Sequence, residues 1–369
     1  MNKKLLAVLG VTTLALGVTT ACSKDEGKEL KVVMITDVGD IDDRSFNQGT
    51  WEGMVDYLKP LGYKENTDYK YIKPASQAHA DYMTAIDNAV TWGAKAIICP
   101  GFLFEAPVHE AQKKYPDVKF LIEDGVPHAG DFNPDITDNT LSVFFNENES
   151  GFYAGYAAVK DGNKNLGFTG GMSVPAVKKF GIGYVAGAYY AANEDKVEIS
   201  IDDDHYTYLG EFFAKPEYKA LADAWYKAGT DVIFSAAGGA GASIMAAAEE
   251  NDKWMIGVDV DQSNQSKKVL TSAKKELAQA VKVFLDGVFG TFEGGQSISL
   301  GTKDDGVGLP QTEEAWRFTN FSKDQYNAIY AKVKSGEVVV PADYDSLVTF
   351  VAAQGAELKL SKNAVEDTK

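Results

Sequence analysis

Short apolar runs rich in β-branched residues recur along the chain, and the segments between them repeat their apolar positions at helical spacing. Residues 32–36, 69–73, 94–99, 118–122 and 140–144 read as one series of strands, and 165–169, 197–201, 231–235 and 254–258 as a second. Between them lie helical patterns such as Ile182, Val185, Ala186 and Tyr189. A long one over about 272–290 carries Leu277, Val281, Phe284, Leu285 and Val288. Strands separated by helices imply right-handed crossovers and parallel sheets. There are too many strands for one core, so the pattern predicts an α/β chain of two doubly wound parallel-sheet lobes. A helix over 150–160 comes after the polar run 146–150 and predicts the first crossing between lobes, with the 272–290 helix returning. One lobe then takes 31–148 plus about 273–300, and the other 149–272 plus about 301–369. Near the end, Ser322-Lys323-Asp324-Gln325 fits a capping box.

The loops at the strand ends carry the chemistry. Open α/β sheets bind ligands at the carboxyl ends of their strands. Six strand ends here lead into small, aromatic or acidic residues: 37–40, 100–102, 123–125, 169–171, 236–239 and 257–261. Glycines let a ligand approach backbone N–H groups, and carboxylates accept hydrogen bonds from hydroxyls and ring N–H groups. Together the loops predict a cleft for a polar, uncharged small molecule. The stretch Ile41-Asp42-Asp43-Arg44-Ser45-Phe46-Asn47-Gln48 opens a helix whose apolar face holds Trp51, Met54, Val55 and Leu58. Phe46 projects roughly 130° from the centre of that face, so its ring is free either to face a cleft or to cover a neighbouring loop. Asp259 reads equally as a ligand acceptor or as a cap on a neighbouring helix.

Enzyme readings find weaker support. Asp37, Asp40, Asp42 and Asp43 loosely suggest the calcium cluster of nucleoside hydrolases, but their spacing differs from it. Gly238-Gly239-Ala240-Gly241 lacks dinucleotide or phosphate-loop spacing. His79, His109, His128 and His205 have no zinc spacing and read as surface or turn residues. No catalytic residues, cofactor or metal are expected.

The N-terminus predicts location. Lys3 and Lys4, an apolar stretch to about Val18 and Thr19-Thr20-Ala21-Cys22 form a leader over 1–21 that resembles a bacterial lipoprotein signal. Cys22 is then the lipidated residue, with 22–30 as a tether to the outer face of a membrane. Cys99 reads as a buried strand residue. The chain carries 36 basic against 53 acidic residues and only two arginines, Arg44 and Arg317, which argues against nucleic-acid and phosphate partners.

The 35–37 and 41–53 stretches resemble the start of the basic membrane protein family, and within it the PnrA-like purine-nucleoside-binding lipoproteins. The resemblance continues through Pro100-Gly101-Phe102, 115–120, 149–156, 167–172, 237–241, 256–262 and 269–272. It implies a type I periplasmic-binding-protein fold that hands purine nucleosides (guanosine, inosine, adenosine) to the permease and ATPase subunits of an ABC importer. It also implies roles. Phe46 and Phe212 sandwich the base, and Asn47 and Asp124 bond its edge, with Asp43 beside them. Asp259 and Lys275 take the ribose hydroxyls, and Gly239 offers backbone. Phe213 is a rival to Phe212, and Lys274 adjoins Lys275. The alternatives are a secreted metal-dependent nucleoside hydrolase and a lipoprotein for sensing or adhesion.

Overall fold

A computed structural model describes residues 28–37 and 39–368; the leader, Cys22 and tether residues 22–27 lie outside them. In chain order the first part runs β1 (Lys31–Ile35), α1 (Phe46–Leu58), β2 (Tyr69–Ile72), α2 (His79–Thr91), β3 (Ala94–Pro100), α3 (Glu105–Lys114), β4 (Lys119–Glu123) and β5 (Thr140–Phe145). The second runs α4 (Glu147–Lys160), β6 (Leu166–Gly170), α5 (Pro175–Asp195), β7 (Tyr206–Tyr208), α6 (Pro216–Ala228), β8 (Val232–Ala236), α7 (Gly241–Glu250), β9 (Trp254–Asp259) and β10 (Val269–Lys275). Then come α8 (Leu277–Phe289), β11 (Gln296–Leu300), β12 (Val307–Gly308), α9 (Lys323–Ser335), α10 (Tyr344–Ala353) and α11 (Lys362–Glu366).

Two six-stranded sheets result, ordered β11-β5-β4-β3-β1-β2 and β12-β10-β9-β8-β6-β7. Every pairing is parallel except β10 with β12. Helices cover both faces of the first sheet, which explains the unbroken apolar strands. Val32 and Met34 of β1 pack with Trp51, Met54 and Phe284 on one side, and Val33 and Ile35 with Tyr82, Ile86 and Val108 on the other. In the second lobe α4 and α5 touch backbone to backbone. A Cβ on Gly155 would meet the Tyr184 carbonyl oxygen at 1.9 Å, and one on Gly187 the Phe152 oxygen at the same distance. A helix-interior glycine costs about 0.5–1 kcal/mol of helix stability, and here close packing requires it. The expected capping box is present: the Ser322 hydroxyl accepts the Gln325 N–H.

The chain crosses between lobes at Asn146, Glu276 and Gly301, and the crossings are tied together. Asn146 N–H donates to the Leu300 carbonyl at 3.0 Å, and Glu276 N–H to that of Gly306 at 2.9 Å. Thr302 N–H donates to Glu149 Oε2 at 2.6 Å.

Two expected elements need correction. The 272–290 helix is instead the end of β10 followed by α8. Residues 269–273 are buried throughout, alongside β9, so they have no polar face to leave in solvent as a helix would. The alternating run 197–201 forms only an isolated bridge, Asn165 to Ser200; the edge strand is β7, whose Tyr206 ring lies 4.5 Å from that of Phe168. Ile201 is buried, so the alternation reports packing rather than pairing. The apolar pattern does not predict the strands β10, β11 and β12.

Candidate functional site

Each sheet changes winding direction once. In the first, β2 and β3 lie on opposite sides of β1; in the second, β7 and β8 flank β6. Loops leave such points in opposite directions and open a crevice at the strands' carboxyl ends. A cavity of about 720 Å³ occupies that position, lined from both lobes. Phe46, Asn47, Asp43, Asp124, Phe212, Gly239, Asp259 and Lys275 all line it, as does Phe213. Of the six expected loops, 169–171 does not line it; Ser173 to Val177, just beyond, do so instead. Gly171 serves another purpose: a Cβ there would lie 2.3 Å from the Phe212 ring, so its absence lets that ring lie flat.

Lys275 is the centre of the floor. It is the last residue of β10, only 4 % exposed, and its ammonium is hydrogen-bonded to Asp124 Oδ2 and 3.4 Å from Asp259 Oδ1. It also sits 4.5 Å from the centre of the Phe46 ring, a cation–π distance. Burial opposes its charge, but Asp124, Asp259 and Glu147 outweigh that and hold its pKa above the usual lysine value. Strand alternation sends Lys274 the other way, to Glu276 at 2.7 Å. The pairing joins the lobes, since Asp124 comes just after β4 of the first sheet and Lys275 ends a strand of the second. A second such tie runs from Ser45 Oγ to Asp259 Oδ2 at 2.5 Å. Asp259 thus meets the start of α1 through the Ser45 hydroxyl. Asp124 and Asp259 both have positive φ, 51° and 65°, a conformation Asp tolerates better than most residues. Asp124 Oδ1 is buried without a hydrogen-bond partner among the described residues.

Asn47 and Asp43 are bound chiefly to one another. Asn47 Nδ2 donates to Asp37 Oδ1 at 2.7 Å and to Asp43 Oδ2 at 2.8 Å, and its Oδ1 accepts the Asp37 N–H at 3.1 Å. Asp43 also accepts the N–H groups of Ser45, Asn47 and Gln48, which organises the first turn of α1. Burial pushes the Asp43 carboxyl above its ordinary range against those hydrogen bonds. Asn47 therefore has both amide donors occupied, and one lone pair of Oδ1 remains for a ligand. Asp40 pairs with Lys73 at 2.9 Å. Of the four aspartates that suggested a cation cluster, Asp37, Asp40 and Asp43 thus hold N–H groups and a lysine.

Four residues around the cavity escape a reading of the sequence. Ser45 lies within the 41–48 stretch, but nothing there points to a partner 214 positions away. Glu147 is 1 % exposed and lies 3.4 Å from Lys179; burial, then Asp124, pushes its carboxyl up to about 7. Phe180 places its ring 5.6 Å from the Lys275 ammonium. His128, expected at the surface, is 6 % exposed and pairs with Glu105 at 3.0 Å; Glu105 itself lines the cavity. Behind the floor, Glu123 is fully buried, and burial pushes its carboxyl up to about 8 despite a 2.7 Å hydrogen bond from Thr50. Cys99 is buried on β3 as expected. No helix of the described residues is long and apolar enough to cross a membrane.

Comparison with known proteins supplies the remaining context. The family described as "ABC transporter substrate-binding protein PnrA-like" (Bmp) matches residues 30–343. The chain is 32 % identical to the ABC transporter nucleoside-binding protein BmpA of Lactococcus lactis subsp. cremoris (strain MG1363), over 93 % of this chain and 100 % of that one. It is 28 % identical to Basic membrane protein B of Borreliella burgdorferi (strain ATCC 35210 / DSM 4680 / CIP 102532 / B31), over 90 % and 95 % respectively. The crystal structure of an ABC transporter solute-binding protein from Aeropyrum pernix K1 superposes with a TM-score of 0.73 at 23 % identity, covering 91 % of this chain and 99 % of that one. The fold is that of type I periplasmic binding proteins. The chain belongs to the Bmp family of PnrA-like ABC transporter substrate-binding proteins.

Proposed function

We propose that the protein captures purine nucleosides in this cleft and delivers them to the permease and ATPase of an ABC importer. We further propose that a lipid on Cys22 holds it on the outer face of the membrane. The single observation that carries the ligand reading is the floor: an ammonium shared by two acids, beside an aromatic ring, with one buried carboxylate oxygen left to accept. A purine offers flat π-faces and a polar N–H edge, and its ribose offers hydroxyls. Asp124 Oδ1 suits a ring N–H, and Asp259 with Lys275 suits the ribose diol. Phe46 supplies one stacking face. Phe212, half-buried over Gly171 and Gly238, suits the other better than Phe213, which is 47 % exposed. Seven carboxylates and three lysines line the cavity, which favours an uncharged nucleoside over its phosphates. The name of the Lactococcus relative agrees with this ligand class.

The test separates sugar from base. Asp259→Ala removes an ionised acceptor, which costs about 1.5–3 kcal/mol, or roughly 10- to 150-fold in Kd for inosine. That loss should largely vanish for 2′,3′-dideoxyinosine, whose sugar offers the carboxylate nothing. Phe46→Ala should weaken both ligands by similar factors. Equal losses for both ligands in Asp259→Ala, with an unchanged circular dichroism spectrum, would place Asp259 in the structural frame.

A further inference from the structure

Two exposed aromatic rings stand on opposite lips of the cavity. Phe132, in the loop between β4 and β5 of the first lobe, is 82 % exposed. Phe213, beyond β7 in the second lobe, is 47 % exposed, and both line the same cavity. A single exposed apolar residue needs no explanation. Two that line one cavity, one from each lobe, ask for one.

Phe132 is also held outward at some cost. Its φ is 59°, a conformation that bulky side chains rarely adopt. The turn around it is closed by Asp131, whose carboxylate accepts the Asn133 backbone N–H at 3.1 Å and its side-chain amide at 2.9 Å. Its ring leans on His128, with centroids 5.1 Å apart. His128 in turn accepts the Gly130 N–H on Nδ1 at 2.9 Å and meets Glu105 of α3 through Nε2. Glu105 Oε1 also accepts the Val126 N–H at 3.1 Å. The loop is thus pinned to α3 while its largest apolar side chain is left out of its own lobe's core. On the other lip, neighbouring rings divide: Phe212 lies on the glycines, and Phe213 is left 47 % exposed.

We infer that Phe132 and Phe213 form an outer, ligand-retaining pair that comes together over the exposed end of a bound nucleoside when the lobes close. This rests on the nucleoside reading of the cleft and adds to it two residues that set the rate of release. A pair of rings in contact contributes about 0.5–1.5 kcal/mol beyond burial, and contacts formed after encounter act on dissociation rather than association.

Radiolabelled inosine chased with unlabelled inosine tests the pair in wild type, Phe132→Ala, Phe213→Ala and the double variant. Each single variant should release inosine about 2- to 10-fold faster, with the association rate unchanged within about twofold. The double variant should be no more than about twofold faster than the quicker single, because each ring loses its partner when the other is removed. Release unchanged in both single variants, or single effects that multiply in the double, overturns the pair. A wild-type protein that forms no inosine complex overturns the nucleoside reading and this proposal with it. A normal wild-type complex with indifferent variants overturns this proposal alone.

Discussion

The floor and the rim of the cleft are built on opposite principles. At the floor, Lys275 is 4 % exposed, and the groups around it come from four strand or helix ends: Asp124, Asp259, Phe46 and Glu147. At the rim, Phe132 is 82 % exposed, and Lys73 meets Asp40 with both side chains well solvated. In the interior an ion pair is weakly screened, and removing one partner strands the other. In solvent the same pairing contributes little. The floor ties the lobes together through Lys275 with Asp124 and Ser45 with Asp259; on the reading proposed above it also selects the ligand, while the rim sets how long the ligand stays.

The largest effect should come from breaking the floor. Lys275→Met leaves Asp124 and Asp259 facing one another without a cation, and buried pairs broken in this way lose about 3–5 kcal/mol. Chemical denaturation should show a fall of that size, and calorimetry no detectable nucleoside binding. Adding Asp124→Asn should recover much of the stability but none of the binding. A variant with wild-type stability would show that the floor is wetter than its burial implies.

Behind the floor, Glu123 makes stability depend on pH. Its carboxyl is raised to about 8 in the folded protein from an ordinary value of 4.5. Between those values the folded state keeps a proton that the unfolded chain gives up, so stability falls as pH rises through that window. The slope is on the order of 1 kcal/mol per pH unit for a single group. Glu123→Gln should remove this component, so denaturation midpoints at pH 5 and pH 8 should differ less than in wild type. An unchanged pH dependence would mean that Glu123 is ionised where it stands.

The smallest effect belongs to the rim pair. Lys73→Ala should change stability by less than about 1 kcal/mol, and inosine affinity by no more than about twofold. A larger loss would move this lysine from the rim into the ligand's contact set.

Much of the architecture is legible in the sequence because fully buried parallel strands announce themselves. Val32 to Ile35 and Ile97 to Cys99 are apolar at every position, since helices cover both faces. The strand β10 escapes notice because Thr271-Ser272-Ala273-Lys274-Lys275 has no β-branched run, and its lysines mimic the start of a polar helix face. The exposed edge strand β11, Gln296-Ser297-Ile298-Ser299-Leu300, shows only weak apolar content because little of it is covered. At the site, the acidic and glycine-rich loops mark the crevice, and five of the six line the cavity. What one dimension hides is partnership. No local pattern links Ser45 to Asp259 or Lys275 to Asp124, and the amide of Asn47 looks free until its neighbours Asp37 and Asp43 are seen to hold it.

We propose above that the cleft holds an uncharged purine nucleoside. Calorimetric titration of the protein with inosine, guanosine and adenosine, and with their 5′-monophosphates, tests it most directly. The nucleosides should bind saturably, at one site per chain and with micromolar or tighter Kd, and the monophosphates at least about tenfold more weakly. Equal affinity for the phosphates, or no heat of binding from any nucleoside, would contradict it.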